Sequence, residues 1–130
     1  MKKVLSILSL VLVALAFVSC SKNTPEGVVS AYISDIQAGQ YEDALDLFYF
    51  KNGITDSQKQ QYAALMRDKM AKDLDKKGGI SSFEITNVQM TEEGNIATVD
   101  YTLKYGDGSA KSDKSKVIKV DDKWKIDSGK

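Results

Sequence analysis

The spacing of hydrophobic and polar positions changes period once along the chain, at Gly78-Gly79. Before that pair, apolar residues recur at helical spacing; after it, they alternate. Val28, Val29, Tyr32, Ile33 and Ile36 form the first helical stripe. Thr24-Pro25-Glu26 opens it, with threonine at the cap, proline in the first turn and a glutamate at the positive end of the helix dipole. Gly39 is a stop signal, so the spacing predicts a helix over 25–38. Tyr41, Ala44, Leu45 and Phe48 share one face of a shorter second helix, which Asn52-Gly53 breaks. Thr55-Asp56-Ser57-Gln58 has the spacing of a capping box. A third helix is expected over 56–76, with Tyr62, Leu65, Met66, Met70 and Leu74 as its apolar stripe.

Beyond Gly79, Phe83 and Ile85 alternate, and Val88 and Met90 continue in the opposite phase. That slip predicts a β-bulge near Asn87 in a strand over 80–91. A second strand over 96–105 puts Ala97, Val99, Tyr101, Leu103 and Tyr105 on one face and Thr98, Asp100, Thr102 and Lys104 on the other. Gly106-Asp107-Gly108 is a hairpin tip. A third strand covers 111–120, and its polar early half is expected to project past the core. Asp121-Asp122 turns the chain into a fourth strand over 123–127, which buries Trp124 and Ile126. Three helices followed by a four-stranded antiparallel meander specify an α+β fold.

The N-terminus has a different character. Met1-Lys2-Lys3 is a short cationic lead, and residues 4–18 are apolar except for Ser6 and Ser9. This run falls short of the roughly 20 residues of a membrane-spanning helix and suits a signal peptide. It ends in Ala16-Phe17-Val18-Ser19-Cys20, which resembles the bacterial lipobox. Residues 1–19 are therefore read as a lipoprotein signal cleaved after Ser19. Cys20 carries the lipid, residues 20–23 are a short tether, and residues 24–130 form one α+β domain. Each buried methylene of the acyl chains contributes about 0.8 kcal/mol, so two or three chains anchor stably. Ser21 after the cysteine, by resemblance to the enterobacterial sorting rule, points to the outer membrane with the domain facing the periplasm.

Composition then narrows the chemistry. Removal of residues 1–19 from the 130 leaves 111, one domain's worth. Two of the 18 basic residues leave with the signal and none of the 18 acidic ones, so the mature charge is near −2. Such a balance gives no electrostatic footprint for nucleic acid. The chain has no histidine, and its single cysteine is the lipid site. The usual zinc, copper and haem ligands and the histidine-assisted nucleophiles are therefore missing. No cofactor and no metal are expected.

Four segments and the C-terminal run together carry a family resemblance: the lipobox, Thr24-Pro25-Glu26-Gly27-Val28-Val29, Gly39-Gln40-Tyr41-Glu42-Asp43-Ala44, Gly78-Gly79-Ile80-Ser81-Ser82-Phe83-Glu84, and Asp122-Lys123-Trp124-Lys125-Ile126. As a set, over residues 24–130, they resemble the domain-of-unknown-function 4878 lipoproteins of Bacteroides-type bacteria. That family is similar in fold to the nuclear transport factor 2-like (cystatin-like) superfamily. The resemblance implies a curved sheet wrapped around a long helix, forming a cone whose mouth can hold a small ligand. It implies no activity.

Three functions are weighed on this frame. The first is a non-catalytic binding or accessory module that takes a small apolar ligand or an envelope protein. Tyr32, Met66, Met70, Tyr101 and Tyr105 are its expected pocket residues, although the same side chains would serve as core filling. The second is an isomerase-, cyclase- or dehydratase-like enzyme, for which the resemblance offers Tyr32, Asp35, Tyr101 and Asp100 as parts. Asp100 alternates away from Tyr101 and no family catalytic motif is present, so no catalytic residue is assigned. The third is an interaction module that forms a homodimer through its sheet. Lys111, Lys114, Lys116 and Lys119 are interleaved with aspartates, which suits protection of an exposed strand better than a basic docking patch.

Overall fold

A computed structural model describes residues 23–129. Cys20, Ser19 and the rest of the export signal lie outside the described residues. No described helix is long and apolar enough to cross a membrane. The elements in chain order are α1 (Pro25–Ala38), α2 (Tyr41–Leu45), β1 (Phe48–Tyr49), α3 (Asp56–Lys77), β2 (Ile80–Met90), β3 (Ile96–Tyr105), β4 (Ala110–Val120) and β5 (Lys123–Asp127). The strands form one sheet in the order β1-β5-β4-β3-β2. The class is α+β, with helices packed against a curved sheet.

Local chemistry sets the helix ends. Thr24 accepts a hydrogen bond from the Gly27 amide at 2.9 Å, and Gly39 closes α1 in the left-handed region at φ 77°. At α3, Gln58 donates its amide to Thr55 Oγ1 while its side-chain oxygen accepts from the Thr55 amide, so the capping box is complete.

The second helix is shorter than its periodicity predicts. It stops at Leu45, and Phe48–Tyr49 pair in parallel with Ile126 and Asp127 as a fifth strand. The Ile126 amide donates to the Leu47 carbonyl at 2.8 Å. A sheet edge offering backbone partners, together with two aromatic residues suited to strands, outweighs one further helical turn.

The bulge expected near Asn87 falls at Thr86, between the pairs Ile85–Tyr101 and Asn87–Asp100. It restores Val88 and Met90 to the face of Phe83 and Ile85. A second irregularity at Ser81 was not signalled by the alternation. Both bulges bend β2. The lysine-rich stretch of β4 is not a free edge throughout. Val117 and Ile118 pair with both β3 and β5, Lys119 and Val120 pair with β5, and residues 110–116 pair with β3 alone among the described strands.

The core lies between α1 and the concave face. Val28, Val29, Ile33 and Ile36 of α1 meet Ala97, Val99 and Tyr101 of β3, Val117 of β4, and Trp124 and Ile126 of β5. The helix held on the sheet is thus α1, not the longest one. Burying each of these side chains contributes about 1.5–3 kcal/mol. By contrast, α3 buries only Ala63.

The C-terminal end of α3 is joined to the sheet through backbone. The Asp107 amide donates to the Lys77 carbonyl at 2.8 Å, and the Gly106 amide donates to the Gly79 carbonyl at 2.9 Å. Gly78 and Gly106 approach so closely that a Cβ on Gly106 would overlap the Gly78 carbonyl oxygen. Gly106→Ala is therefore expected to lower urea stability by about 1–3 kcal/mol, the usual cost of overpacking. It should also speed hydrogen exchange at the Gly106 and Asp107 amides. Unchanged stability and protection would show that this contact does not hold the helix.

Candidate functional site

Because α3 is fixed at its end and does not sink into the core, two spaces remain beneath it. The first, of about 230 Å³, lies between α1, the C-terminal half of α3 and the sheet. Tyr32, Ile33 and Ile36 of α1, Met70 and Leu74 of α3, and Tyr101, Leu103 and Tyr105 of β3 supply its apolar walls. Its rim carries Asp73 and Lys77 from α3 and Lys111 and Asp113 from β4. The second space, of about 370 Å³, is an apolar groove lined by Leu45, Phe48, Phe50, Tyr62, Leu65 and Met66, with Lys69 and Ser128 at its margin. Tyr32 and Met70 line both spaces.

Helical and strand periods produce this lining. Met66, Met70, Asp73, Leu74 and Lys77 follow the i, i+4, i+7 rule along one face of α3. On β3, Tyr101, Leu103 and Tyr105 alternate onto the concave face. Cross-strand partners share a face, and the register pairs Tyr101 with Asp113 and Leu103 with Lys111. The two charged residues of β4 therefore point to the same side as the tyrosines.

The expected pocket residues divide between the two spaces. Tyr32, Met70, Tyr101 and Tyr105 surround the charged cleft, while Met66 lines the groove beside it. Asp113, Lys111, Asp73 and Lys77 were not singled out for a pocket. Counting back symmetrically from the hairpin tip would have placed Asp113 beside Tyr101. Asp35 and Asp100 line neither space, and Asp100 lies across from Lys114 on the outer face. Among the described residues, no group of histidine, cysteine, aspartate or glutamate could hold a metal ion.

The aromatic rings hold one another in place. Tyr32 meets Phe48 edge-on at 5.4 Å, and Phe50 stacks on Tyr62 at 6.0 Å. Lys77 Nζ sits 4.7 Å from the Tyr105 ring centroid, which keeps its charge at the cleft rim. Lys111 and Asp113 are 3.8 Å apart and about half exposed, so their mutual attraction is weak and both remain available. Burial, then the neighbouring Tyr101 and the Asp113 carboxylate, push the Tyr32 phenol up to about 12. Burial also raises Tyr101, against a hydrogen bond with Ser115 that lowers it. Both phenols thus stay protonated near neutrality and can donate hydrogen bonds.

The sign of the Tyr32 shift gives a pH prediction. A phenol raised from 10.0 to about 12 favours the fold while it is neutral. That stabilisation is complete below 10 and is lost as pH rises towards 12. In thermal melts, Tyr32→Phe should flatten the loss of stability across this interval relative to wild type. Equally steep losses in both proteins would contradict the environment assigned to Tyr32.

Comparison with known proteins agrees with this architecture. A structure of an NTF2-like protein from Campylobacter jejuni, assigned as a candidate transpeptidase, is similar with a TM-score of 0.65 at 15% identity, over 80% of this chain and 97% of that one. A lower likeness links the chain to the intermembrane space region of the chloroplast protein ARC6. Its TM-score is 0.43 at 13% identity, over 82% of this chain and 92% of that one, too low to carry weight. No curated protein matches the sequence. The family model described as "Domain of unknown function (DUF4878)" matches residues 18–127, and the chain, with its NTF2-like fold, belongs to that family.

Proposed function

We propose that this protein is a lipid-anchored module of the bacterial cell envelope that binds a small, largely apolar ligand without transforming it. The observation that carries this reading is the unfilled space under α3, with apolar walls and a charged rim. A helix serving only the core would bury its stripe, yet Met66, Met70 and Leu74 stay partly exposed and face these spaces. Concave sites with mostly apolar walls and a few convergent polar groups are the usual form of small-molecule sites.

The rim favours recognition over catalysis. A carboxylate base of the isomerase kind needs an apolar enclosure that tunes it. Asp113 is 48% exposed and accepts the Lys114 amide at 2.8 Å, which suits a fixed charge in contact with water. The outer sheet face gives little support to a sheet-to-sheet dimer. Asn87, Gln89, Thr98, Asp100, Thr102, Lys114 and Lys116 lie there, and Thr102 bonds Ser112 across the strands at 3.0 Å. The anchor in this proposal rests on the signal-like run ending at Cys20, and placement at the periplasmic side of the outer membrane rests on Ser21.

Two measurements test the two halves of the proposal. Native mass spectrometry of the processed protein should show a reproducible extra mass. Met70→Trp, which puts an indole where both spaces meet, should lose that mass while keeping its melting temperature within a few degrees. A wild-type protein that flies only in its bare form would overturn the binding reading. Separately, Cys20→Ala should abolish metabolic labelling by a fatty-acid probe and leave the precursor uncleaved after Ser19. Undiminished labelling would overturn the anchor.

A further inference from the structure

The charged cleft and the apolar groove meet at one place, the pair Tyr32 and Met70. Both side chains line both spaces, so they form the partition that the two share. Tyr32 is held by Phe48 through an edge-on ring contact, and methionine is the most adaptable apolar side chain. The two volumes also differ in what they can hold alone. About 230 Å³ is below the roughly 300–1,000 Å³ of ordinary ligand sites, so a ligand seated among the rim charges must extend elsewhere. The space open to it is the 370 Å³ groove, whose walls are almost wholly apolar.

The rim specifies the other end of the ligand. Asp73 and Asp113 stand with Lys77 and Lys111 around one mouth. A purely anionic head would meet two carboxylates there, and a purely cationic head two ammonium groups. A head that carries both charges can pair with each sign.

We propose that the two spaces are one bipartite site for a single-chain zwitterionic lipid, its head between Lys77, Lys111, Asp73 and Asp113 and its acyl chain passing Tyr32 and Met70 into the groove lined by Phe50, Tyr62 and Leu65. The inference deepens the ligand-binding reading above and rests on it. Each methylene that leaves water for the groove contributes about 0.8 kcal/mol, so the chain supplies affinity and the rim supplies selection.

The test uses the processed lipoprotein in phosphatidylglycerol vesicles, which contain no zwitterionic lipid. The probe is lysophosphatidylethanolamine with a diazirine at the end of its acyl chain. After irradiation and digestion, label is expected on the peptides that contain residues 48–50 and 62–69. Leu65→Asp changes a side chain that is 54% exposed, so the fold is retained and checked by melting temperature. It lines only the groove, and it should cut that label roughly tenfold, equivalent to about two lost methylenes. Label confined to peptides with Leu74–Lys77 or Lys111–Asp113 would overturn the bipartite site and leave the smaller binding cleft standing. Groove label undiminished by Leu65→Asp would overturn the bipartite site as well. Absence of label from both regions would overturn the bipartite lipid site, while the broader ligand-binding reading stands or falls with the native mass spectrum.

Discussion

The close backbone approach of Gly78 and Gly106 is the constraint on which the rest of the arrangement depends. It joins the last turn of α3 to the tip of the β3–β4 hairpin by two amide–carbonyl hydrogen bonds, with no side chain between them. A helix anchored through its backbone end need not drive its side chains into the sheet to stay in place. The same contact sets Lys77 over Tyr105 and carries the last turns of α3 past Leu103 and Tyr101 at a distance that leaves space below.

Deep burial is divided unequally between two helices. Helix α1 closes the concave face with four nearly inaccessible side chains, whereas α3 fully buries only Ala63 and packs Tyr62, Met66, Met70 and Leu74 half-buried against the same interior. Residues 59–67 of α3 also lean on α2 and its C-cap, where Arg67 lies 5.5 Å from the Tyr41 ring centroid and Lys59 pairs with Asp46. The Lys59–Asp46 pair is largely open to water and adds little to the free energy of folding. The deepest packing lies at the α1–sheet interface, and α3 covers the cleft from one side.

Much of this was legible in the sequence, for identifiable reasons. Helix α1 has a capping threonine at one end and a left-handed glycine at the other, so its limits follow from local chemistry. The phase slip after Ile85 announced its bulge because one extra residue inverts the alternation. Tyr32, Met70, Tyr101 and Tyr105 could be assigned to inward faces by period alone. The fate of Phe48 could not, since its spacing fits a helix and only the distant strand β5 draws it into the sheet. The glycine contact also has no local signature: each glycine reads as a helix stop or a hairpin tip until the two meet. Division of the expected pocket into two spaces, with Met66 on one side and Tyr101 on the other, depends on where α3 comes to rest.

The shallow burial of α3 has a consequence for descent with modification. Met66, Met70 and Leu74 line the cavity walls and are only partly buried against the core, so changing them removes less packing than changing Val28, Val29, Ile33 or Ile36. On the proposed binding role, mutation can vary ligand preference along one side of this helix at smaller thermodynamic cost than in the α1 interface. On that role, the cavity walls can change long before the shape of the fold does.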